Sequence, residues 1–171
     1  MYASTEELEH FARELESEER FTELVPVLLE LARDAHLAGD DDSARKIFRR
    51  AQRTARLLGD DLARGHVALR MGQHSAAMGD DAKAEKQLRS AVKLFQRVEL
   101  PDSLLRARIA LGIFLQDRQP GDEGSALLEQ AIAGAPPDHP DAMVAQQYLS
   151  GAVDPCAASP FFPFRVRRSV P

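Results

Sequence analysis

The sequence predicts an all-α protein built from repeated helical hairpins, and three observations support this class. An apolar pattern recurs three times at an interval of 40 residues, its spacing within each copy is helical, and the signals of β-strands are weak. Hydrophobic residues make up 44% of the 171 residues but aromatic residues only 6%, which suits the packing of alanine and leucine helices. A chain of this length and composition can bury one sizeable core.

The recurrent pattern is clearest between residues 31 and 51. A large apolar residue precedes a small one, a second small residue follows twelve positions later, and a bulky residue and an alanine complete the copy. Small residues let two helices approach closely, and the bulky residue fills the gap between them. Each copy therefore predicts an antiparallel hairpin, with its turn at Gly39-Asp40, Gly79-Asp80 or Gln119-Pro120-Gly121. The copies align as Leu31, Met71 and Leu111; Ala32, Gly72 and Gly112; Ala44, Ala84 and Gly124; Phe48, Leu88 and Leu128; and Ala51, Ala91 and Ala131.

This order of residues resembles the signature of the tetratricopeptide repeat (TPR) over residues of roughly 22 to 150. The interval of 40 residues exceeds the common 34, and helices about one turn longer would explain the difference. The resemblance implies a TPR-like superhelix of three repeats with an N-terminal capping helix and a C-terminal helix, at residues 1–152, followed by a tail at 153–171. In the third copy Gln119 replaces the turn glycine and Gly124 replaces alanine, so we expect its second helix to be the least stable.

The first two helices are predicted from local signals. Ser4 and Glu7 form a capping box, and the helix that follows ends near Glu18. The second helix begins near Thr22, and its regular part is expected at 26–37 because proline is best tolerated in a first turn. The first helix is expected to cover the exposed face of the first hairpin through an apolar stripe of Leu8, Phe11 and Leu15.

Six further helices are predicted at residues 42–58, 61–78, 81–98, 102–117, 121–134 and 139–150. Aspartates stand at or near the helix starts, where a carboxylate accepts backbone N–H groups and meets the positive end of the helix dipole. The repeated Gly-Asp-Asp triplets therefore have a capping role, and they lack the ligand spacing of an EF-hand. The aspartates concerned are Asp61, Asp81, Asp102 and Asp122.

The sequence contains no arrangement of residues that indicates catalysis. The five histidines show no metal-ligand spacing, and there is neither a glycine-rich phosphate loop nor a nucleophile motif. The single Cys156 cannot form an internal disulfide, and no apolar run approaches the roughly 20 residues that a membrane span requires. We therefore expect a cytoplasmic protein that is not an enzyme and that binds no metal or cofactor.

Charge is distributed in blocks. Residues 1–42 hold 13 acids and 3 bases, residues 43–98 hold 5 acids and 13 bases, and residues 99–154 hold 9 acids and 3 bases. Nucleic acid is one partner that such a basic block suggests. However, the net charge of −5 and the lack of interleaved aromatic residues favour a solvated face that attracts an acidic protein surface. The basic patch, expected on the convex side of the stack, comprises Arg45, Lys46, Arg49, Arg50, Arg53, Arg56, Lys86, Arg89 and Lys93.

The resemblance to TPR proteins also implies a concave groove, lined by the first helix of each repeat, that binds a peptide or helix of another protein. Its mixed apolar and cationic lining suits a ligand with acidic and apolar residues. Of the chaperone-binding carboxylate clamp of the family, only Arg106 keeps its charge in place, so a chaperone C-terminus is not the expected ligand. The implied groove residues are Leu29, Arg33, His36, His66, Leu69, Arg70, Gln73, Arg106, Ile109, Ile113 and Gln116.

The leading functional hypothesis is therefore a protein-binding adaptor. A self-associating scaffold is the first alternative, because acidic thirds of one copy can meet the basic middle of another. A nucleic-acid binder is the second. The tail, rich in proline, phenylalanine and arginine, is either a cap on the last helix or a free recognition segment. The identity and pathway of the partner and the oligomeric state do not follow from the sequence.

Overall fold

The computed structural model describes residues 4–118 and 121–151, and in these two ranges it contains eight α-helices and no strand. The tail and the turn residues Gln119 and Pro120 lie outside the described residues. The last six helices agree with the predicted ranges to within one residue at each end. The helices are α1 (Thr5–Ser17), α2 (Phe21–Leu37), α3 (Asp41–Leu58), α4 (Asp61–Ala77), α5 (Asp81–Arg97), α6 (Pro101–Arg118), α7 (Asp122–Ala133) and α8 (Pro140–Leu149).

Three hairpins form the body of the protein. Helices α2 and α3, α4 and α5, and α6 and α7 pack most extensively against each other, and successive hairpins join through α3–α4 and α5–α6. Helix α1 packs on α2 at one end, and α8 packs on α7 and α6 at the other. This arrangement confirms the predicted all-α hairpin repeat.

Glycine and leucine meet where paired helices come closest. A Cβ atom added to Gly72 would lie 2.8 Å from Cγ of Leu88, and one added to Gly112 would lie 2.8 Å from Cγ of Leu128. Both leucines are fully buried. The hairpin seam therefore has the pairing of small and bulky residues that the repeated pattern predicts.

The helix caps follow the prediction in part. Asp61, Asp81 and Asp122 stand at helix starts as predicted, but the N-caps of α4, α5 and α7 lie one residue earlier. The N–H of Ser4 donates to Oε2 of Glu7 at 2.6 Å, and the N–H of Glu7 donates to Oγ of Ser4 at 3.2 Å, which confirms the capping box. In the repeats the cap is the first aspartate of each Gly-Asp-Asp triplet, since Asp40, Asp60 and Asp80 accept backbone N–H groups at the starts of α3, α4 and α5. These acids are thus engaged in capping.

Two expectations about the first helices are wrong in detail. Helix α2 begins at Phe21, so Pro26 lies inside it rather than in its first turn. The missing N–H of Pro26 removes one helical hydrogen bond, to the carbonyl of Thr22. Seven other residues of α2 are buried. In α1, Leu15 and Ala12 are buried but Phe11 is 40% exposed, because α1 turns the adjacent alanine toward α2.

Residues with left-handed backbone conformation separate the helices. Inside the hairpins they are Gly39 and Gly79, with φ of 88° and 76°. Between hairpins they are Glu19, Gly59 and Glu99, with φ of 56°, 64° and 54°, and these three are again spaced by 40 residues. The repeat therefore extends to the turns as well as to the helices.

Helix α4 belongs to both halves of the core. Its Val67 and Met71 pack with residues of α1 to α3, whereas its Ala68 and Leu69 pack with residues of α5 to α8. No helix in the described ranges is long and apolar enough to cross a membrane.

Candidate protein-binding groove

A groove runs along the side of the stack that the first helices form. Helices α2 and α4, α4 and α6, and α6 and α8 contact each other directly along this side. The groove holds two pockets: the α2–α4 pocket, of about 420 Å³, and the α4–α6 pocket, of about 250 Å³. His66 and Arg70 line both pockets, so the two form one continuous surface.

The α2–α4 pocket is mainly apolar. Two acidic residues stand beside the apolar wall, but both have partners: Asp60 caps α4, and Glu30 lies 2.7 Å from a guanidinium nitrogen of Arg33. The pocket can therefore receive an apolar side chain without leaving a carboxylate unpaired. Its apolar wall is made by Val25, Pro26, Leu29, Leu62 and Ala63.

The α4–α6 pocket is more polar. Leu69 and Gln73 line it from α4, and Asp102, Ser103 and Arg106 line it from α6. The Nε–H of Arg106 donates to Oδ2 of Asp141 on α8 at 2.8 Å, which ties the last helix to the groove.

Arg70 stands at the junction of the two pockets. Its side chain is partly buried, and it forms no ion pair with any residue in the described part of the chain. Burial lowers the pKa of its guanidinium; Glu30 opposes this shift, and the nearby Arg33 and Arg106 add to it. The pKa of His66 is lowered as well, by burial and by Arg70 and Arg106. The junction is therefore a cationic site that an anion would stabilise.

Six of the residues predicted to line the groove lie in one of its pockets, and the other five do not. Arg33 is half buried and pairs with Glu30 and Asp34. Gln116 points toward α7 and donates to Oγ of Ser125. Those that line a pocket are Leu29, His66, Leu69, Arg70, Gln73 and Arg106.

The three remaining predicted residues are core residues, so they offer no surface to a partner. Ile109 and Ile113 are 0% and 2% exposed, since α6 is covered on several sides. His36 is 3% exposed, its Nδ1 lies 2.8 Å from Oδ1 of Asp41, and its ring stands 5.0 Å from that of His74, measured between centroids.

Sequence reasoning missed part of the groove. Pro26 and Leu62 line the apolar pocket, and Asp102 and Asp141 line the polar one. The signal was present for Pro26, which occupies the same repeat position as His66 and Arg106. Asp141 could not be predicted, because its place in the pocket depends on the packing of α8 on α6. In this position α8 resembles the first helix of a fourth repeat.

The basic patch on the second helices is divided by ion pairs. Arg45 pairs with Asp42, Arg50 with Glu16 of α1, and Arg89 with Glu85 and Glu123 of α7. These arginines join neighbouring helices or turns of the stack. The other patch residues, which are exposed and have no ion pair in the described ranges, are Lys46, Arg49, Arg53, Arg56, Lys86 and Lys93.

The described residues contain no cluster of three or more histidine, cysteine, aspartate or glutamate side chains that could hold a metal ion. Comparisons with known proteins find no family, no curated protein and no solved structure that matches the chain.

Proposed function

We propose that this protein is a non-enzymatic adaptor that binds a peptide or helix of another protein in its concave groove. The observation that most strongly supports this proposal concerns Arg70. It is a partly buried cation at the junction of an apolar and a polar pocket, and it has no ion-pair partner in the described ranges. A ligand carboxylate beside an apolar side chain satisfies both features. The resemblance to TPR proteins supports the same surface.

The energies of the two contacts are sufficient for specific recognition. A hydrogen bond between a guanidinium and a carboxylate contributes about 1.5–3 kcal/mol, and burial of one large apolar side chain contributes about 1.5–3 kcal/mol. Arg33 and Arg106 are already paired with Glu30 and Asp141, so they direct the ligand acid to Arg70. The expected ligand therefore places an acidic group next to a large apolar residue.

Selection of random peptides displayed on phage against the full chain tests this proposal. We expect enriched peptides to combine an acidic and a large apolar residue. Arg70→Gln should weaken their binding at least tenfold, which corresponds to about 1.4 kcal/mol. Ala63→Phe, which fills the apolar pocket, should weaken binding in the same way. Arg53→Gln, which removes an exposed cation of α3 that lines neither pocket, is the matched control.

The proposal is wrong if no peptide is enriched, or if the enriched peptides bind Arg70→Gln as well as the parent. Size-exclusion chromatography with light scattering over a range of salt concentrations addresses the scaffold alternative. Oligomers that dissociate with salt would favour self-association, whereas a monomer at all salt concentrations favours the adaptor.

A further inference from the structure

The exposed cations of α3 and α5 form a second surface, on two helices that line neither pocket of the groove. The two helices bury residues at equivalent repeat positions: Ala44 of α3 corresponds to Ala84 of α5, and Ala51 corresponds to Ala91. Lys46 and Lys86 therefore occupy equivalent positions, as do Arg53 and Lys93, and the charge continues from one helix to the next. We define the convex cationic surface as Lys46, Arg49, Arg53, Arg56, Lys86 and Lys93.

The cations of α3 lie close enough together to face several phosphates at once. On α3 they follow one helical stripe, so that neighbours are about 4.5–6 Å apart along the axis and the stripe spans about 15 Å. Duplex DNA carries one negative charge per roughly 1.7 Å of its axis, and a stripe of this length meets several phosphates. Gln52 of α3 and Gln87 and Ser90 of α5 line the space between the two helices and add neutral donors, which commonly contact phosphates.

Two considerations favour a nucleic acid over an acidic protein. Exposed ion pairs between flexible cations and protein carboxylates each contribute little. A nucleic acid instead releases condensed counterions when cations replace them, and this drives binding without precise geometry. The aromatic residues of α3 and α5, Phe48 and Phe95, are fully buried, so the surface has no platform on which single-stranded bases could stack. The surface therefore suits a duplex contacted through its backbone.

The negative net charge of the chain does not prevent this contact. The acids that flank the surface are partly neutralised, because Glu16 of α1 pairs with Arg50 and Glu123 of α7 pairs with Arg89. Salt screens the repulsion between the phosphates and more distant acids, because the Debye length is about 8 Å at physiological ionic strength. The local field at α3 and α5 is therefore positive.

We infer that the convex cationic surface binds the phosphate backbone of double-stranded nucleic acid without sequence preference, independently of the groove. Contacts to four to six phosphates predict that log K falls with log salt concentration with a slope of about −4 to −5. The dissociation constant at physiological salt is expected on the order of 10⁻⁴ to 10⁻⁶ M, as for other non-specific binders.

Fluorescence anisotropy of a labelled DNA duplex, titrated with the full chain at several salt concentrations, tests the inference. Arg53→Gln/Arg56→Gln should weaken binding at least tenfold at low salt and reduce the steepness of the salt slope by about 2. Arg20→Gln/Arg108→Gln has the same net charge but leaves the surface intact, so its binding should stay within threefold of the parent. Arg70→Gln should also leave duplex binding unchanged, which separates this surface from the groove. Thermal melting confirms that the variants are folded.

Three results would overturn the inference. One is no binding of the duplex at about 20 mM salt, an ionic strength at which screening is weak. Another is equal loss of affinity in both double variants, which would indicate a general charge effect. The third is competition in which poly-glutamate displaces the duplex at equal charge concentration, since this would assign the surface to an acidic protein instead.

Discussion

At the scale of single residues, glycines determine how closely the helices pack. The sequence predicted their role because Gly72 and Gly112 recur at the position of Ala32, and the structure places each against a buried leucine. The repeat made this inference strong. A single glycine in one helix has many possible explanations, whereas a small residue at the same position of every repeat has few. Gly124 also lies at a close contact between helices, because an added Cβ would lie 3.0 Å from the carbonyl oxygen of Gly112.

Gly72→Leu should destabilise the protein by at least about 1–3 kcal/mol, because the added side chain overlaps Leu88 and the nearby backbone of α5. Ala84→Leu should act similarly from the other helix of the seam. Ala82→Leu, at an exposed position of α5, is the control and should change stability by less than about 0.5 kcal/mol. Urea unfolding measures the three values. Equal stability of Gly72→Leu and the control would contradict the described seam.

A buried histidine makes stability depend on pH. Burial lowers the pKa of His74 to about 4, with a smaller effect of His36 in the same direction and an opposite effect of Asp41. The unfolded state binds the proton more readily, at a pKa near 6.5. The stability contributed by neutral His74 is therefore complete above pH 6.5 and is lost as the pH falls toward 4.

Between pH 7.5 and pH 5, we expect His74 to reduce the free energy of unfolding by about 2 kcal/mol. In His74→Gln, which cannot take up the proton, this part of the pH dependence should disappear. His10→Gln is the matched control, because the His10 side chain is 67% exposed. Urea unfolding at both pH values gives the comparison. A His74→Gln variant with the full pH dependence of the parent would refute this assignment.

At the scale of elements, the sequence predicted helix boundaries better than helix faces. The boundaries follow from capping aspartates and turn glycines, which are local signals. The faces of α6 could not be predicted, because α6 packs against α5, α7, α4 and α8 and is therefore apolar on most sides. Ile109 and Ile113 were for this reason assigned to the groove although they lie in the core.

Helix α1 offers a direct test of which of its residues caps the stack. Leu15→Ala should lower the free energy of unfolding by about 2–5 kcal/mol, because Leu15 is fully buried beside α2. Phe11→Ala should cost less than half as much, since 40% of Phe11 is exposed. Deletion of residues 1–20 should expose Leu24 and Leu28 and cause aggregation. Equal effects of the two alanine variants would favour the stripe predicted from sequence over the described packing.

At the scale of the whole molecule, the core is continuous because α4 takes part in both of its halves. The chain is therefore expected to unfold globally as one cooperative unit, with the terminal helices opening locally first. The sequence predicted the stack but not this sharing, which depends on how the hairpins pack against each other. The function, the cytoplasmic location and the partner stay predictions at this scale.

Hydrogen exchange should resolve this gradient. Amides in the middle of α4 are expected to exchange at least tenfold more slowly than those of α8, which has ten residues and only two buried side chains. Mass spectrometry of peptides from each helix provides the rates. Protection of α8 equal to that of α4, or opening of α4 before the terminal helices, would contradict the shared core.

The left-handed residues Glu19, Gly59 and Glu99 also bear on how such a chain evolves. Because they mark equivalent joints, the segment at 60–99 begins and ends at the same point of the unit. Recombination that duplicates this segment in frame keeps its helix caps and turns intact. Each added copy lengthens the concave groove and the convex cationic surface together, by one hairpin. Heritable changes in repeat number would thus alter the reach of both surfaces in a single event.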